Sequence, residues 1–275
     1  MAVPPLRALV AAGFEIALVV TRIDKRRGRG SQLMPSEVKA AAVELGLPVS
    51  HAVDDALGVG ADLGVVVAFG QLIKPHVLDV LPMVNLHFSL LPRWRGAAPV
   101  ERALLAGDSE TGVCLMQLEE GLDTGPVYRR EIVPISASTT AAQLRRELLE
   151  VGTQVLVEEL RAGLGEAQPQ SGEPTYAAKI RAEELQIDWS RRPTEVDRLV
   201  RLGGAWTTLR GRRLRIVASE LIDASAPSSN ELVGDRVGGM RLLTVQPEGS
   251  AAMPFGAFAR GARLAEIEQL GGTIR

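Results

Sequence analysis

Apolar, β-branched runs that alternate with helical patterns most constrain the fold of this chain. In sequence order, these helical and strand-like segments occupy 4–13, 15–21, 35–46, 48–53 and 62–70. Gly13 follows the first helical pattern as a typical stop, and Ser36 is placed to cap the second. Strands separated by helices of about ten residues indicate a parallel sheet that helices cover on both faces. We therefore predict an α/β fold with an open, mostly parallel sheet.

The rest of the chain indicates a second, smaller domain. A helix is predicted from Val100, followed by two strands around a glycine-rich turn and a long amphipathic helix that ends near Gly163. A stretch rich in Gly, Pro and Gln then reads as a linker, and short strands with turns follow it. We predict a catalytic domain at 1–165, a linker and connecting helix at 166–204, and a β-rich, barrel-like domain at 205–275.

Composition excludes several classes of protein. Cys114 is the single cysteine, so the chain has neither an internal disulfide nor a cysteine-based metal site. No run reaches the apolar length of a membrane span, and the first residues lack the charged segment and apolar core that predict a secretory signal. The formal charge of −2 does not demand a nucleic-acid partner. We expect a cytoplasmic protein with no membrane contact.

Two polar residues stand at the end of the buried strand predicted after segment 62–70. Asn85 and His87 are two positions apart, so a strand directs both to one face. The carboxyl end of a strand in an open α/β sheet is also where such folds bind ligands. His51 and His76 have no polar companions at a useful spacing. His87 is therefore the candidate catalytic histidine, although a structural role is an alternative of similar weight on this pattern alone.

Asp123 is the candidate partner of this pair. It lies between Gly121 and Gly125 in a predicted turn, where a plain turn aspartate bonded to its own backbone is the alternative. An amide donor, an imidazole and a carboxylate together suit acyl transfer, in which Asn and protonated His hold a developing oxyanion. One His and one Asp fall short of the usual zinc ligands, and no Ser or Cys stands in a nucleophile-elbow pattern. The nucleophile is then expected to come from a substrate, such as an amine.

These residues resemble the formyltransferase family that uses 10-formyltetrahydrofolate. The resemblance rests on Asn85-x-His87-x-Ser89, "SLLP", Gly96 and the downstream "GLDTG". The longer stretch 89–125, the segment 21–49 and the segment 175–201 resemble the members that formylate methionine on initiator tRNA. The resemblance implies a Rossmann-like formyltransferase domain followed by an OB-like domain. It is specific to about residue 200 and weaker beyond.

The resemblance also implies roles for individual residues. Asn85, His87 and Asp123 would be catalytic, with Asp123 orienting His87. The pocket for the folate co-substrate would be lined by Ser89, Leu90, Leu91, Pro92, Phe69, Gly70 and Leu72. The basic loop would contact the initiator methionyl-tRNA through Lys25, Arg27 and Arg29, where the alternative is a solvated loop. The co-substrate would be 10-formyltetrahydrofolate with no metal, and we expect a monomer.

Two departures from the family qualify this expectation. Family members begin with a strand and a glycine-containing loop before the first helix, so we expect the first strand of the sheet to be missing and Met1 to be an internal methionine. The C-terminal domain is expected to be shortened. Open alternatives are a formyltransferase for a sugar amine or glycinamide ribonucleotide, an inactive fragment that keeps folate or tRNA binding, and a formyl-folate hydrolase.

The basic loop generates the first prediction. Arg29 lies between two glycines among further basic residues, and mobile cations beside phosphates contribute salt-dependent affinity. We expect Arg29→Ala to raise the Michaelis constant for tRNA, or to lower turnover, while folate binding stays unchanged. Steady-state kinetics over a series of salt concentrations test this. If tRNA kinetics and their salt dependence match the parent, the loop is only solvated.

Overall fold

The computed structural model describes residues 1–26 and 33–273. The chain divides into two compact units. The first comprises Met1–Pro99, Glu110–Pro134 and Arg146–Ala177, and the second comprises Val100–Ser109, Ile135–Arg145 and Ala178–Arg275. Two short stretches, Val100–Ser109 and Ile135–Arg145, thus belong to the same unit as the C-terminal part. Domains defined as continuous segments of the sequence do not include such an arrangement. The domain boundaries at 165 and 204 stay predictions.

The helices follow the periodic segments of the sequence. They are α1 (Val3–Ala11), α2 (Glu37–Glu44), α3 (Pro75–Leu78), α4 (Pro99–Ala106), α5 (Ala141–Ala162), α6 (Pro193–Leu202) and α7 (Phe255–Gly261), with 3-10 turns at Val53–Gly58 and Ala182–Leu185. Ser36 caps α2 as predicted, since its Oγ accepts a hydrogen bond from the backbone N–H of Lys39 at 3.0 Å.

Strands of the first unit form one four-stranded sheet and several short pairs. They are β1 (Val19–Val20), β2 (Lys25–Arg26), β3 (Leu33–Met34), β4 (Val49–Ser50), β5 (Gly64–Val67), β6 (Met83–His87), β7 (Arg95–Gly96), β8 (Glu110–Gln117), β9 (Val127–Pro134) and β10 (Tyr176–Ala177). The larger sheet has the order β5-β6-β8-β9, in which β5 and β6 are parallel and the later pairs antiparallel. Two more parallel pairs are β1 with β4 and β7 with β10.

The pairing is interrupted between β1 and β5. Among the described strands, β1 pairs only with β4. The strand predicted over 15–21 is therefore shorter than expected, with ladder pairing only at Val19 and Val20. An apolar cavity of about 240 Å³ is lined by residues of β1, β5 and α1. Within the described residues, β1 and β5 are therefore not paired with each other, and the side chains around this cavity lie between them.

β6 is the buried strand of the larger sheet. All five of its residues are buried, because β5 and β8 flank it and α5 packs over the sheet. Gly152 of α5 makes this packing close: a Cβ there would lie 3.0 Å from Leu86 and 3.1 Å from Val113. The strand that carries the polar pair is therefore fixed on both edges and on one face.

The second unit is rich in β-structure. Its strands are β11 (Trp206–Leu209), β12 (Arg212–Leu221), β13 (Glu231–Val233), β14 (Arg236–Val237), β15 (Met240–Pro247), β16 (Met253–Pro254) and β17 (Ile267–Gln269). They form one antiparallel sheet of order β11-β12-β15-β14-β13-β17, with β16 beside β15. Its core includes Trp189, Ile216, Leu232, Met240 and Phe255. The predicted β-rich domain is therefore present.

An ion pair in the second unit supplies a test of its stability. Arg102 on α4 donates to both carboxylate oxygens of Glu184, at 2.7 and 3.2 Å, and the backbone N–H of Arg181 adds a third bond at 2.9 Å. The bond from Arg102, followed by that from Arg181, lowers the pKa of Glu184 from 4.5 to about 2. Because the pKa is lower in the folded state, the pair stabilises the fold above about pH 4.5 and this is lost as the pH falls toward 2.

We expect Glu184→Gln to lower the free energy of unfolding at pH 7 by about 1 kcal/mol, because the pair is only partly buried. The difference from the parent should shrink at pH 3. Urea denaturation at both pH values measures it. Glu183→Gln, the same change on an exposed neighbour, is the matched control. An equal loss at both pH values would show that the ion pair is not the cause.

Candidate active site

Asn85 and His87 lie together on β6, as the two-residue spacing predicts. Asn85 is 9% exposed and His87 is 5% exposed. Both lie toward the carboxyl end of the strand, where the chain leaves the sheet for the loop 88–94. Buried polar side chains need hydrogen-bond partners, because unpaired burial costs free energy. The partners of these two side chains therefore define the site.

The backbone carbonyl of Trp94 fixes the ring of His87. The His87 Nε2 atom lies 3.0 Å from this oxygen. A carbonyl oxygen only accepts hydrogen bonds, so Nε2 carries the hydrogen and donates it. In the neutral ring, Nδ1 is then the nitrogen without a hydrogen, and it can take up and release a proton. The sequence did not predict this acceptor. Every residue has a backbone carbonyl, so its identity as a hydrogen-bond partner leaves no pattern in the sequence.

Asp123 closes the site from the loop between β8 and β9. Its Oδ1 lies 3.4 Å from Asn85 Nδ2, and its Oδ2 accepts a bond of 2.8 Å from the backbone N–H of Gly96. The same Oδ2 is 3.6 Å from His87 Nδ1, which is too long for a hydrogen bond but close enough for charge attraction. The carboxylate is thus held by Gly96 and stands between the amide and the imidazole.

The turn that carries Asp123 is a constrained one. Asp123 has a φ of 51°, a left-handed conformation that Asp and Asn tolerate better than most residues. At Gly125, a Cβ would lie 2.0 Å from the backbone oxygen of Gln117, so only glycine fits. Of the two glycines that flank Asp123 in the sequence, Gly125 is therefore required because its backbone lies close to that of Gln117.

Cys114 is next to the site but is not a nucleophile. It pairs with His87 in the β6–β8 ladder and is fully buried. Burial raises the pKa of its thiol, which keeps the sulfur protonated and unreactive.

In the described part of the chain, no cluster of three His, Cys, Asp or Glu side chains is arranged to hold a metal ion. No helix among the same residues has the length and apolar character to cross a membrane.

Side chains of the "SLLP" segment mostly face the protein. Ser89 is fully buried, and its Oγ donates to the backbone oxygen of Arg93 at 2.5 Å. Leu91 packs in a buried cluster with Cys114 and Met116. Leu90 lies against Gly112, where a Cβ would be 2.5 Å from its Cδ2. A ligand at this segment would therefore meet main-chain groups and Pro92 rather than these three side chains.

The other predicted binding residues have different surroundings. Phe69 lines the apolar cavity beside β5, Gly70 has a φ of 70°, and Leu72 is 80% exposed. Lys25 is exposed on β2, which pairs with β3. Arg27 and Arg29 lie outside the described residues.

Comparison with known proteins adds sequence and fold relatives. The family model described as formyl transferase matches residues 7–160, and the one described as formyl transferase, C-terminal domain, matches 179–263. The methionyl-tRNA formyltransferase of Dinoroseobacter shibae is 44% identical over 95% of this chain and 94% of its own length. That of Rhizorhabdus wittichii is 42% identical over 100% of this chain and 96% of its own length.

Solved structures agree in fold. An N-formyltransferase from Helicobacter canadensis, in complex with folinic acid and dTDP-3-aminofucose, superposes with a TM-score of 0.66 at 19% identity, over 90% of this chain and 95% of that one. HypX from Aquifex aeolicus with tetrahydrofolic acid superposes with a TM-score of 0.57 at 20% identity, over 79% of this chain and 43% of that one. At these identities the likeness shows the fold alone.

The loop of Asp123 generates a prediction about stability. Gly125→Ala would place a Cβ against a backbone oxygen that cannot move freely, because the backbone N–H of Gln117 is bonded to Pro126. We expect a loss of about 1–3 kcal/mol in the free energy of unfolding. In Gly58→Ala the new Cβ meets no atom within 4 Å, so this control should lose less. Urea denaturation compares the two, and equal losses would contradict the close approach.

Proposed function

The chain belongs to the formyltransferase family, and we propose that it transfers a formyl group from 10-formyltetrahydrofolate to the α-amine of methionine on initiator tRNA. Formyl transfer follows from membership of the family. The acceptor is proposed because relatives at 42–44% identity over nearly the whole chain carry the name methionyl-tRNA formyltransferase. The observation that carries the chemistry is the convergence of Asn85, His87 and Asp123 at the end of a buried strand.

Asn85 and His87 are proposed to hold the charge that develops on the formyl oxygen. Attack by the amine nitrogen on the formyl carbon turns the carbonyl oxygen into an oxyanion. The Nδ2 of Asn85 donates a hydrogen bond to it, and so does Nδ1 of His87 once protonated, since Nε2 is committed to Trp94. Burial of both side chains excludes water, which strengthens these interactions.

Asp123 is proposed to compensate the charge on His87 and to move the proton. Its Oδ2 lies 3.6 Å from Nδ1, so the carboxylate attracts a positive charge on the ring. The attacking amine must lose a proton, and the folate nitrogen must gain one when its bond to the formyl carbon breaks. A carboxylate between the donor and acceptor positions can take the first proton and return it to the leaving nitrogen, which balances the reaction.

Recognition of the folate is assigned to the two loops next to β5 and β6. The main chain of Ser89 to Pro92 offers polar groups, because its side chains are engaged within the protein. Phe69, Gly70 and Leu72 follow β5 directly, and Leu72 stands 80% exposed as an apolar contact for a ring system. Lys25, Arg27 and Arg29 are proposed to contact the tRNA.

One assay tests the proposal against its alternatives. The protein is incubated with 10-formyltetrahydrofolate and, in parallel reactions, with methionyl initiator tRNA, an amino sugar nucleotide, glycinamide ribonucleotide or water alone. Formylmethionyl-tRNA as the main product supports the proposal. Transfer to the sugar or to glycinamide ribonucleotide would reassign the acceptor, release of formate alone would indicate a hydrolase, and no reaction would indicate an inactive chain.

The roles of the three residues generate a prediction. His87→Ala and Asp123→Ala should each reduce the rate of formyl transfer by about 10²–10⁴-fold, as expected for general acid–base groups. Asn85→Ala should cost about 10²–10³-fold, the usual effect of removing one oxyanion donor. Single-turnover rates measure the losses, with circular dichroism melting to confirm folding. Near-normal turnover of the His87 variant would refute the assignment.

A further inference from the structure

We propose that Gln170 is a positioning residue that holds Asp123 in its catalytic position, an inference that rests on the proposed function. Gln170 lies in the stretch that the sequence indicated to be a linker. Its Nε2 donates one hydrogen bond to the backbone oxygen of Asp123 and another to that of Gly125, each of 2.8 Å. Both amide hydrogens are thus used on the same turn, on either side of Thr124.

The turn needs such a support. The backbone of Asp123 is in the left-handed region, with a φ of 51°, which costs free energy for any residue other than glycine. Two main-chain carbonyls of the turn then point at Gln170 and not along a strand ladder. Without an external donor these carbonyls would seek other partners, and the turn would relax. The carboxylate of Asp123 moves with the backbone that carries it.

Arg95 fixes the orientation of Gln170. Its Nε and Nη2 donate to Gln170 Oε1 at 3.2 and 2.7 Å, a forked contact that prevents the amide from rotating. Because Oε1 accepts from Arg95, Nε2 must face the turn, which settles the direction of the amide. Gln170 therefore has all its polar atoms engaged, and each contact is made within the first unit.

The same short segment holds Asp123 from its other side. Gly96, next to Arg95 in β7, donates its backbone N–H to Asp123 Oδ2 at 2.8 Å. Arg95 thus fixes the main chain of Asp123 through Gln170, while Gly96 fixes its carboxylate directly. Two anchor points determine both position and direction of this side chain. Loss of the Gln170 contact should leave the carboxylate bound to Gly96 but misplaced relative to Asn85 and His87.

Gln170→Glu is the sharpest test. Glutamate has the same shape and still accepts from Arg95, but it has no N–H donor and sets a carboxylate against two carbonyl oxygens. We expect kcat to fall about tenfold to a hundredfold, as for other small displacements of a catalytic group, with both KM values within about twofold of the parent. Gln170→Met, which also lacks the donors but adds no charge, should lose activity in the same range.

Gln168→Glu is the matched control. This glutamine is exposed, two residues earlier, and joins the fold through main-chain bonds to Val127 that its side chain does not share. The control should keep parental kcat and KM. Melting temperatures of all variants show whether folding is intact. If both Gln170 variants keep parental kcat, the inference is wrong, and so it is if their loss appears in KM alone.

A double-mutant cycle separates positioning from a general structural role. Under single-turnover conditions, Gln170→Glu should have no further effect when Asp123 is already alanine, because it acts through that carboxylate. A full additional loss in the Asp123→Ala background would overturn the inference. A parent protein that forms no formylmethionyl-tRNA would overturn the proposed function instead, so the two failures are distinguishable.

Discussion

Three consecutive residues, Trp94 to Gly96, set the geometry of the site. The carbonyl of Trp94 orients His87, the side chain of Arg95 holds Gln170, and the N–H of Gly96 holds the Asp123 carboxylate. These residues are not rigid by themselves, because a two-residue strand is marginal. Their position comes from β10, which pairs with β7, and from Thr175 just before β10. The Thr175 Oγ1 accepts a hydrogen bond from the backbone N–H of Trp94, and the Thr175 carbonyl accepts one from the backbone N–H of Arg95. Main-chain hydrogen bonds thus fix the relative positions of the imidazole, the carboxylate and the turn.

Because Asn85 and His87 are buried, their polar atoms need protein partners at fixed positions. Asn85 is 9% exposed and His87 5% exposed, so little water can reach their polar atoms. Each polar atom must then find a protein partner or a substrate, and the protein supplies only some of them. His87 Nδ1 and Asn85 Nδ2 have long contacts, of 3.6 and 3.4 Å, to Asp123. Both atoms can therefore form a shorter hydrogen bond to another group, as the proposed stabilisation of the transition state requires.

Sequence patterns predicted the elements and the three polar residues, but not what holds them. The helix cap at Ser36, the buried strand before the loop and the tight turn at Asp123 each depend on residues a few positions apart, so local patterns predict them. The orientation of His87 was expected to come from Asp123 and comes from a carbonyl, which sequence cannot mark. Gln170 is 47 residues from Asp123, and its Gly- and Pro-rich surroundings are typical of linkers. A side chain that bonds a distant main chain leaves no periodicity to detect.

The same limit applies to the basic stretch of β12, because a row of arginines in the sequence does not distinguish a tRNA-binding surface from a solvated strand face. Arg213 and Arg215 do alternate onto one exposed face, but Arg213 lies 4.3 Å from the ring centre of Trp206 and Arg215 donates to Gln246. Arg210, in the turn before the strand, is paired with Glu268, which raises its pKa further, and donates to the carbonyls of Ala262 and Arg263. Its role is to join the turn to the C-terminal segment. The charge of Arg210 is thus compensated by a carboxylate, whereas the contacts of Arg213 with an aromatic ring and of Arg215 with a neutral amide leave their charges available to a polyanion.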